Sequence, residues 1–450
     1  MNAIVMKFGG SSVANAACMR QVADLVRSAA HQPPLVVLSA MGKTTNGLFA
    51  AAQAAERGDL EGAISAMQAV LATHLTAASD LFPAGVPETL ETSLAERFRE
   101  LELILRGVAL LRELSPRSMD AIASFGERLS TLIFSAFIGA PLVDARKVMR
   151  TDDTFGEGQP RFALLPELAA QHFAPLLRPG QPVVTQGYIG STEEGLTTTL
   201  GRGGSDYSAA LFGAALGVQE VQIWTDVQGV LTCDPRVVPE AQSIDQLTFA
   251  EAAELAAFGA KVLHPATIQP AVEAGIPVTV RDTQRPDGLF TTIAPDTRSG
   301  RAVTALATRG PVTVLTVNST RMLNHSGFLA KLFDVFRRHG VSVDLIATAE
   351  VSVSLTVEAD APLEALIAEL STFANVVTVR DRAIIAVVGE RIKQTPGVAA
   401  RVFAALGGIN IELISMGANE INLSLVVPQS TVVDALRRLH RALIEEAVCV

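Results

Sequence analysis

Aromatic residues and cysteines are scarce in this sequence. Aromatic side chains account for 5 % of the 450 residues and hydrophobic residues for 49 %, so the core must consist mainly of aliphatic side chains and alanine, as in layered α/β proteins. The three cysteines, Cys18, Cys233 and Cys449, form no C-x-x-C pair, and their odd number argues against a disulfide framework. We therefore expect a protein of the reducing cytoplasm.

A long apolar run and an excess of basic residues are also missing. No uninterrupted apolar stretch approaches the length that spans a bilayer, and no cationic start precedes an apolar segment and a cleavage site, so the sequence predicts neither a membrane partner nor export. With 46 acidic and 36 basic residues the formal net charge is −10, which argues against nucleic acid as a partner. A chain this acidic must gather its useful cations wherever it binds an anion.

The N-terminus is an apolar strand that runs into Lys7-Phe8-Gly9-Gly10, and a helical pattern follows from Val13. Two glycines at the start of a helix leave backbone N–H groups free to bind phosphate, and Lys7 can reach that phosphate. A tight Gly-Gly turn beside a solvated lysine explains the same residues. The motif alone does not decide between these interpretations.

Apolar runs of strand length alternate with longer helical patterns in the first 300 residues, which predicts a mainly parallel sheet covered by helices on both faces. The runs are Ile4 to Phe8, Leu35 to Ala40, Pro182 to Ile189, Val221 to Trp224 and Pro277 to Arg281. The block from Thr44 to Ile138 reads as an inserted helical layer. A polar stretch with glycine and proline from Arg285 to Gly300 marks a domain boundary.

An internal repeat follows this boundary. Gly327 and Gly397 each open a helix that is preceded by one strand pattern and followed by two more. The order strand-helix-strand-strand-helix-strand is that of the ferredoxin-like split unit. We therefore expect two small tandem domains after the α/β domain.

Several segments of the first 300 residues occur in the order typical of one family. They are Val36 to Asn46, Ser124-Phe125-Gly126-Glu127-Arg128, Lys147 to Asp153, Thr197 to Ser208 with Leu200-Gly201-Arg202-Gly203-Gly204-Ser205-Asp206 at its centre, Trp224 to Val230, Cys233-Asp234-Pro235-Arg236 and Phe258 to Pro265. Together with the opening motif they closely resemble the aspartate kinases of the amino acid kinase family. The C-terminal repeat resembles two tandem ACT domains, so the resemblance covers nearly the whole chain.

This resemblance implies the fold and the reaction. The fold would be an α/β three-layer sandwich of the carbamate kinase-like type with a mainly parallel sheet over residues 1–300, followed by ferredoxin-like ACT domains at 301–382 and 383–450. The reaction would be phosphorylation of the side-chain carboxylate of L-aspartate, with ATP and Mg²⁺. The length leaves no room for a nicotinamide-binding unit, so we expect a monofunctional enzyme.

The resemblance also implies three catalytic residues, Lys7, Asp206 and Lys261. The two lysines would bind the transferring phosphate, and Asp206 would orient them or take part in magnesium binding. The implied ATP-binding residues are Lys7, Phe8, Gly9, Gly10, Thr225, Asp226, Leu231, Arg236, Lys261 and Val262. Leu231 departs from the lysine-sensitive bacterial pattern, which has tyrosine there, but leucine still offers adenine an apolar wall.

For L-aspartate, Arg202 would clamp a carboxylate through two parallel hydrogen bonds, and Glu127 would pair with the α-ammonium group. The implied aspartate-binding residues are Ser39, Thr45, Glu127, Arg202, Gly203, Gly204 and Ser205. A helical glutamate is usually solvated, so the alternative is that Glu127 is a surface carboxylate paired with Arg128. The surrounding segment favours the binding role.

The first ACT repeat resembles the lysine site of lysine-sensitive aspartate kinases. The implied effector-binding residues are Met322, His325, Gly327, Leu329, Ser342, Val343, Asp344, Thr348, Ala349, Glu350 and Val351, with His325 and Ala349 where serines are expected. Two acids beside a glycine loop suit a dibasic ligand better than threonine, so we expect feedback by lysine. The apolar helix faces and strands of the repeats need partners, so we expect a homodimer through the ACT domains.

Two other functions fit parts of the sequence. A kinase of the same fold acting on glutamate, acetylglutamate, carbamate or UMP shares the glycine-rich start but lacks the full set of segments. A catalytically dead amino acid sensor would need only the ACT repeats, and the joint presence of Lys7, Asp206 and Lys261 argues against it. Gly42-Lys43-Thr44 is not a P-loop, because that motif needs a glycine where Val37 stands. The seven histidines show no zinc-ligand spacing, so the sequence predicts no zinc site.

Overall fold

The computed structural model describes residues 2–29, 31–259, 265–296, 301–322, 326–417 and 419–446. The chain divides into two compact units, each with its own core. The first unit comprises Met1–Val230, Asp245–Leu247 and Val262–Asp296, and the second comprises Leu231–Ile244, Thr248–Lys261 and Thr297–Val450. The sequence predicts a boundary near residue 300, whereas two segments that precede this residue pack in the second unit.

The strands, in chain order, are β1 Ile4–Phe8, β2 Pro34–Leu38, β3 Leu142–Val143, β4 Val183–Gln186, β5 Ile189–Ser191, β6 Thr197–Thr199, β7 Glu220–Thr225, β8 Val230–Leu231, β9 Ser243–Ile244, β10 Gln246–Thr248, β11 Val278–Asp282, β12 Thr291–Ala294, β13 Ala305–Asn318, β14 Ile346–Thr348, β15 Ser352–Glu358, β16 Asn375–Val388, β17 Leu413–Met416 and β18 Asn422–Pro428. The α-helices are α1 Ala16–Ser28, α2 Thr44–Glu56, α3 Leu60–Leu81, α4 Glu88–Leu111, α5 Pro116–Ala123, α6 Phe125–Ile138, α7 Leu165–His172, α8 Gly204–Leu216, α9 Phe249–Ala257, α10 Pro265–Glu273, α11 Phe328–Arg338, α12 Leu363–Leu370, α13 Val398–Ala405 and α14 Val432–His440.

The first unit is built on an eight-stranded sheet in the order β10-β12-β11-β7-β1-β2-β4-β3. The neighbours from β11 to β3 in this order pair in parallel, while β12 is antiparallel to β11. Every residue of β1 and of β2 is buried, as expected for central strands covered by helices on both faces. This arrangement confirms the predicted α/β fold with a mainly parallel sheet.

Helices α2 to α6 form the helical layer that the sequence predicts between β2 and β3. In α4 the buried residues recur three or four positions apart, which places them on one face of the helix. They are Leu90, Leu94, Phe98, Leu101, Leu105 and Val108. This face joins the same core as Phe8 and Leu38 of the sheet. The layer is therefore part of the kinase unit and not a separate domain.

Helices α5 and α6 together cover Pro116–Ile138, a stretch long and apolar enough by length and composition to cross a membrane. However, 72 % of its most apolar window is buried inside the protein, and the stretch includes the charged residues Glu127 and Arg128. A core helix passes the same test, and burial identifies this one as part of the core.

The second unit contains a six-stranded antiparallel sheet in the order β14-β15-β13-β16-β18-β17. Helices α11 and α12 bury Leu332, Phe336 and Leu366 in one core, and helices α13 and α14 bury Val402 and Leu436 in another. These two cores confirm the predicted pair of ferredoxin-like repeats.

The two repeats are interleaved through β13 and β16, which are 14 residues long. Ala305–Arg309 pairs with Ile384–Val388, and Val314–Asn318 pairs with Asn375–Val379, with a register shift between the two stretches. The first half of β13 therefore borders the second repeat, and the first half of β16 borders the first repeat. The sequence predicts only the second half of each of these strands.

Helix α9, which precedes residue 300, is anchored on the second unit. Glu251 completes a capping box with Thr248 and accepts a hydrogen bond from Thr304 Oγ1 at 2.6 Å. Glu254 accepts hydrogen bonds from the side-chain amides of Asn419 at 2.6 Å and Asn422 at 2.7 Å. These side-chain contacts explain why the segment belongs with the antiparallel sheet.

Candidate functional site

Four parallel strands of the first unit end level with one another at one edge of the sheet. Phe8 of β1 lies opposite Leu38 of β2 and Trp224 of β7, and Leu38 lies opposite Gln186 of β4. Ligands of open α/β sheets bind beyond the carboxyl ends of the strands. The candidate residues at these strand ends are Lys7, Phe8, Gly9, Gly10, Ser39, Thr225 and Asp226.

The glycine loop after β1 packs closely on the loop after β2. A Cβ on Gly10 would lie 2.8 Å from the carbonyl oxygen of Ala40, and the N–H of Gly42 donates to the carbonyl of Gly10 at 2.9 Å. A Cβ on Gly9 would lie 3.7 Å from Lys7 Nζ. Gly10 is therefore required for the close approach of the two loops, while Gly9 lies beside the ammonium group.

The backbone N–H groups of this loop are less free than the sequence predicts. The N–H of Gly9 donates to the carbonyl of Trp224 at 3.3 Å. A 3₁₀ turn at Ser11–Val13 follows, and α1 begins at Ala16 with Asn15 capping its first turn. One N–H group of the loop, that of Gly9, is therefore engaged within the protein, and phosphate binding by this loop and Lys7 stays a prediction.

Lys7 and Asp206 form an ion pair between β1 and the first turn of α8. Lys7 Nζ lies 2.7 Å from Asp206 Oδ1, and the side chains are 10 % and 19 % exposed. A carboxylate in the first turn also interacts favourably with the helix dipole. The structure thus brings together two of the three predicted catalytic residues, and the pair orients the lysine toward the strand ends.

Glu127 lies in the first turn of α6 and is 4 % exposed. Its Oε1 accepts a hydrogen bond from the N–H of Ala40 at 3.1 Å, while its Oε2 is buried without a hydrogen-bond partner. Burial raises the pKa of this carboxyl from 4.5 to about 8, against the effect of the Ala40 hydrogen bond. The arrangement is a buried carboxyl group with one oxygen available for a cationic ligand.

The structure contradicts the alternative interpretation of Glu127 as a surface carboxylate paired with Arg128. Arg128 points to another partner: its Nη2 lies 2.7 Å from Glu100 Oε2, and its guanidinium lies 4.4 Å from the centre of the Phe125 ring. Glu127 is therefore neither on the surface nor paired with its neighbour.

Ser39 lies in the loop after β2, and Thr45 lies in the helix that follows this loop. Ser130 Oγ donates to the carbonyl of Ser39 at 2.8 Å, which ties α6 to this loop. A Cβ on Gly126 would lie 2.7 Å from the Cβ of Ala40, so the glycine of the Ser-Phe-Gly-Glu-Arg segment is needed for the close contact. Thr45 is half-buried in the first turn of α2.

The loop before α8 carries the candidate Arg202. Gly201 and Gly203 both have left-handed backbone conformations, with φ of 73° and 71°, and Arg202 between them is exposed. A Cβ on Gly187, just beyond β4, would lie 2.7 Å from the Cβ of Ser205. The predicted residues of this loop therefore meet the same sheet edge, with the guanidinium on the solvent side.

Tyr188 is a neighbour of this site that the sequence analysis missed. A Cβ on Gly204 would lie 2.7 Å from Tyr188 Cδ2, and Tyr188 itself adopts φ of 67°, which is unusual for a residue other than glycine. Burial raises the pKa of the Tyr188 phenol. The hydrogen bond with Thr199 lowers this pKa, and the negative charges of Glu127 and Asp120 raise it further. The feature that distinguishes Tyr188 is its positive φ, which cannot be predicted from the sequence.

Asp120 is a second residue that the sequence analysis missed. It is 2 % exposed, and its Oδ2 accepts hydrogen bonds from the N–H groups of Gly156 and Thr199, both at 2.9 Å. Its Oδ1 accepts from Thr199 Oγ1 at 2.8 Å. Burial raises the pKa of this carboxyl, and the three hydrogen bonds oppose the increase. Asp120 thus fixes β6, which leads into the Arg202 loop.

The candidate nucleotide residues Thr225 and Asp226 lie at the end of β7, with Thr225 its last residue. The carbonyl of Thr225 accepts hydrogen bonds from the N–H and the Oγ1 of Thr283, both at 2.9 Å. Thr283 Oγ1 also lies 2.8 Å from Ser12 Oγ, which connects the loops after β1, β7 and β11. No motif in the sequence singles out Ser12 or Thr283.

The remaining kinase candidates lie elsewhere. Leu231 and Arg236 belong to the second unit, where Arg236 Nη2 lies 2.6 Å from Asp234 Oδ2. Lys261 and Val262 lie outside the described residues, as does His325 of the effector set.

The candidate effector residues of the second unit come from two loops and one hairpin. The N–H of Ser319 donates to the carbonyl of Val351 at 2.8 Å, which holds the loop of Met322 against the β14–β15 hairpin. Gly327 has φ of 90° at the start of α11, and Leu329 is 40 % exposed. Thr348, Ala349 and Glu350 are exposed at the hairpin turn, whereas Ser342, Val343 and Asp344 precede β14.

The two acids of this set do not meet. Asp344 and Glu350 lie beyond opposite ends of β14. The Asp344 side chain is 12 % exposed, while Glu350 is exposed. A small ligand that contacts Asp344 is therefore not held by Glu350 of the same chain.

Among the described residues, no group of three His, Cys, Asp or Glu side chains is placed to hold a metal ion. Magnesium is usually held by one or two carboxylates together with substrate phosphates and water. Asp206, beside Lys7, is the carboxylate available for that purpose.

Comparison with known proteins identifies the family of the chain. Residues 2–282 match the amino acid kinase family, and residues 315–368 and 385–443 match the ACT domain. The lysine-sensitive aspartokinase 3 of Escherichia coli is 41 % identical over 98 % of this chain and 99 % of its own length.

Two solved structures of Escherichia coli aspartokinase III are also similar, each at 40 % identity. One, in complex with lysine and aspartate in the T-state, has a TM-score of 0.83 and covers 99 % of this chain and 100 % of its own. The other, with aspartate and ADP in the R-state, has a TM-score of 0.81 and covers 98 % of this chain and 99 % of its own.

Proposed function

The chain belongs to the amino acid kinase family and, within it, to the aspartokinases, and we propose that it transfers the γ-phosphoryl group of ATP to the side-chain carboxylate of L-aspartate. In this reaction the bond between the γ-phosphorus and the bridging oxygen of ATP breaks, and a new bond forms to a carboxylate oxygen of aspartate. The products are ADP and 4-phospho-L-aspartate. The observation that carries the proposal is a cationic centre, the Lys7–Asp206 pair, in the same unit as a buried carboxyl group with a free oxygen on Glu127.

The attacking carboxylate is already ionised at neutral pH, so the reaction needs no general base. The enzyme must instead hold two anions in line and stabilise the charge of the transferring group. Lys7 meets this need, because its ammonium group is nearly buried at the strand ends and is oriented by Asp206. Lys261 is the second cation of the proposal.

Magnesium would be held by Asp206 and the phosphates of ATP, and it would neutralise phosphate charge when bound. Within the first unit, the nucleotide would lie on the side of Thr225 and Asp226. Gly10 permits the close contact of the loops after β1 and β2 that shapes this edge.

Glu127 would bind the α-ammonium group of aspartate through Oε2, which has no hydrogen-bond partner in the described part of the chain. Arg202 would clamp a substrate carboxylate, with hydrogen bonds from Ser39, Thr45 and the Gly203-Gly204-Ser205 backbone. A buried carboxylate is an expensive group to leave unpaired, so it favours a cationic ligand strongly over a neutral one.

A coupled assay for ADP tests the reaction. The purified chain is incubated with ATP, Mg²⁺ and one acid at a time: L-aspartate, L-glutamate, acetylglutamate or carbamate. We expect ADP release with L-aspartate and trapping of the acyl phosphate by hydroxylamine. Turnover with another of these acids alone would assign the chain to a different substrate, and no turnover with any of them would favour the amino acid sensor.

We infer in addition that lysine inhibits the enzyme through the first ACT repeat. Asp344, whose side chain is 12 % exposed, would meet the terminal ammonium group of lysine. Lysine would inhibit by favouring a conformation with a poorly formed substrate site. Initial rates over a lysine series, with threonine in parallel, test this: inhibition by threonine alone, or by neither, would overturn the lysine assignment.

The chain would act as a homodimer through its ACT repeats and in the cytoplasm. Large apolar side chains are exposed on the second unit, among them Leu329, Ile346, Phe403 and Ile414. Contiguous exposed apolar side chains commonly mark an interaction surface.

A further inference from the structure

Asp344 is held by a cation from a neighbouring strand. Arg309 lies on β13 at the register shift that separates the two halves of that strand. Its Nη1 lies 2.8 Å from Asp344 Oδ1, and its Nη2 lies 2.6 Å from Glu358 Oε1 on β15. One guanidinium group therefore bridges two carboxylates, as its forked geometry allows.

The second oxygen of Asp344 is unused. The Asp344 side chain is 12 % exposed, and its Oδ2 is buried with no hydrogen-bond partner among the residues that the structure describes. A buried acceptor without a partner is unfavourable, and a ligand ammonium group would satisfy it. Burial raises the pKa of Asp344, the positive charge of Arg309 lowers it, and the negative charge of Glu358 raises it.

We propose that Arg309 is the positioning residue of the effector site. Its guanidinium group holds Asp344 through Oδ1 and leaves Asp344 Oδ2 to receive the terminal ammonium group of a dibasic amino acid. The inference rests on the lysine feedback proposed above. It adds a residue that would not touch the effector yet would set its affinity, because without Arg309 the carboxylate loses both its orientation and the charge that keeps it ionised.

The second repeat contains a matching pair that serves as a control. Val343-Asp344-Leu345-Ile346 of the first repeat corresponds to Ile411-Glu412-Leu413-Ile414 of the second. Arg382 Nε lies 2.7 Å from Glu412 Oε2, and both side chains are 20 % exposed. The buried oxygens without a partner in the described part of the chain include one from Asp344 but none from Glu412. The matching acid of the second repeat therefore lacks the feature that points to a ligand.

Arg309→Gln tests the proposal. We expect the lysine concentration for half-maximal inhibition to rise by about tenfold or more, the effect of losing the partner of a charged hydrogen bond. The increase should grow as the pH is lowered, because burial, no longer opposed by the charge of Arg309, favours the protonated form of Asp344. Arg309→Lys, which keeps the charge, should recover most of the sensitivity. Activity without lysine should stay within about twofold in each variant, since Arg309 lies in the regulatory unit.

Glu358→Gln should act in the opposite direction. Its side chain is 62 % exposed, so the change should be tolerated by the fold, and it removes a negative charge that opposes ionisation of Asp344. Lysine inhibition should be unchanged or stronger and should depend less on pH. Arg382→Gln, the matched control, should leave lysine inhibition at the parent value. Circular dichroism and the parent rate without lysine verify folding of each variant.

The outcomes separate this inference from the proposed function. If lysine inhibits the parent and Arg309→Gln keeps the parent sensitivity and pH profile, the role of Arg309 is overturned while lysine feedback stands. If Arg382→Gln loses sensitivity as strongly as Arg309→Gln, the effect is structural and the inference also fails. If Arg309→Gln does not fold, Glu358→Gln decides. Weaker lysine inhibition in Glu358→Gln would overturn the inference, whereas stronger or unchanged inhibition that depends less on pH would support it. A parent that lysine does not inhibit overturns the lysine site, and the inference with it.

Discussion

Lys7 is the cation whose removal tests the proposed chemistry most directly. Lys7→Ala removes a nearly buried charge from the strand ends, and we expect turnover to fall by about two orders of magnitude or more, the effect of losing one preorganised transition-state contact. Lys43→Ala is the matched control, because Lys43 is exposed in the adjacent loop and would be important only if Gly42-Lys43-Thr44 were a phosphate loop. Steady-state kinetics at saturating ATP and aspartate measure both. Turnover of Lys7→Ala within a few-fold of the parent would remove Lys7 from the mechanism.

Glu127 makes aspartate binding depend on pH. With its pKa raised to about 8 by burial, most of the free enzyme carries a protonated Glu127 at neutral pH, whereas the substrate ammonium group needs the carboxylate. Binding must therefore displace a proton below pH 8, and kcat/KM for aspartate should rise from about pH 6 to about pH 8.

Glu127→Gln should remove that dependence. The aspartate KM should increase by about tenfold or more, since a charged hydrogen bond is lost, while the KM for ATP should change little. Glu100→Gln is a control, because Glu100 is a half-exposed carboxylate paired with Arg128. If the variant changed only the ATP constant, Glu127 would belong to the nucleotide side.

At this scale the sequence predicts residues that belong to a motif and misses those that depend on tertiary contacts. Lys7, Glu127 and Asp206 stand in recognisable segments, and the structure brings Lys7 and Asp206 into contact. Asp120 and Tyr188 support the same site from positions without a motif. Their importance depends on burial, hydrogen bonds and a positive φ, which form only when distant segments meet.

Asp120 connects three elements of the first unit, and its loss should destabilise them together. Asp120→Ala would leave the N–H groups of Gly156 and Thr199 and the Thr199 hydroxyl without their acceptor, so we expect a loss of about 3 kcal/mol or more in the free energy of unfolding. Asp59→Ala is the comparison, because Asp59 is an exposed cap of α3 and its loss should cost about 1 kcal/mol. Chemical denaturation measures both.

The kinetics of the Asp120 variant give a second readout. Because β6 leads into the Arg202 loop, the aspartate KM should increase more than the KM for ATP. Equal stability of the two variants would show that the three hydrogen bonds of Asp120 contribute little.

Among the elements, the helical layer and the parallel strands are predictable because their apolar periodicity is local. The interleaving of the ACT repeats is not. Ala305–Arg309 contains threonine and arginine and is followed by Gly310-Pro311, which reads as a turn and not as a strand. Its strand conformation comes from pairing with Ile384–Val388, a contact across about 80 residues of sequence that no local pattern encodes.

At the scale of the whole molecule, assembly should depend on the second unit. Leu329 and Phe403 are 40 % and 39 % exposed on α11 and α13, the two helices whose glycine starts define the repeat. A glutamate at both positions would place charge in an apolar contact, so Leu329→Glu with Phe403→Glu should convert a dimer into monomers. Light scattering after size exclusion should then report the mass of one chain, 47.4 kDa, where the parent reports twice that value.

Leu110→Glu is the control for this prediction, because Leu110 is 85 % exposed on α4 of the kinase unit and should tolerate a charge without any change of mass. The two results together locate the interface. If the double variant stays dimeric while Leu110→Glu dissociates, the chains associate through the kinase units, and the exposed leucine and phenylalanine of the ACT repeats must serve another contact.

If only the double variant dissociates, the assay of lysine inhibition on the monomer becomes informative, since Asp344 and Glu350 of one chain lie too far apart along β14 to hold one effector together. Because Leu329 is itself a candidate effector residue, the test uses Phe403→Glu alone: loss of inhibition with dissociation of this variant, at an unchanged rate without lysine, would mean that dimer formation is a condition for feedback.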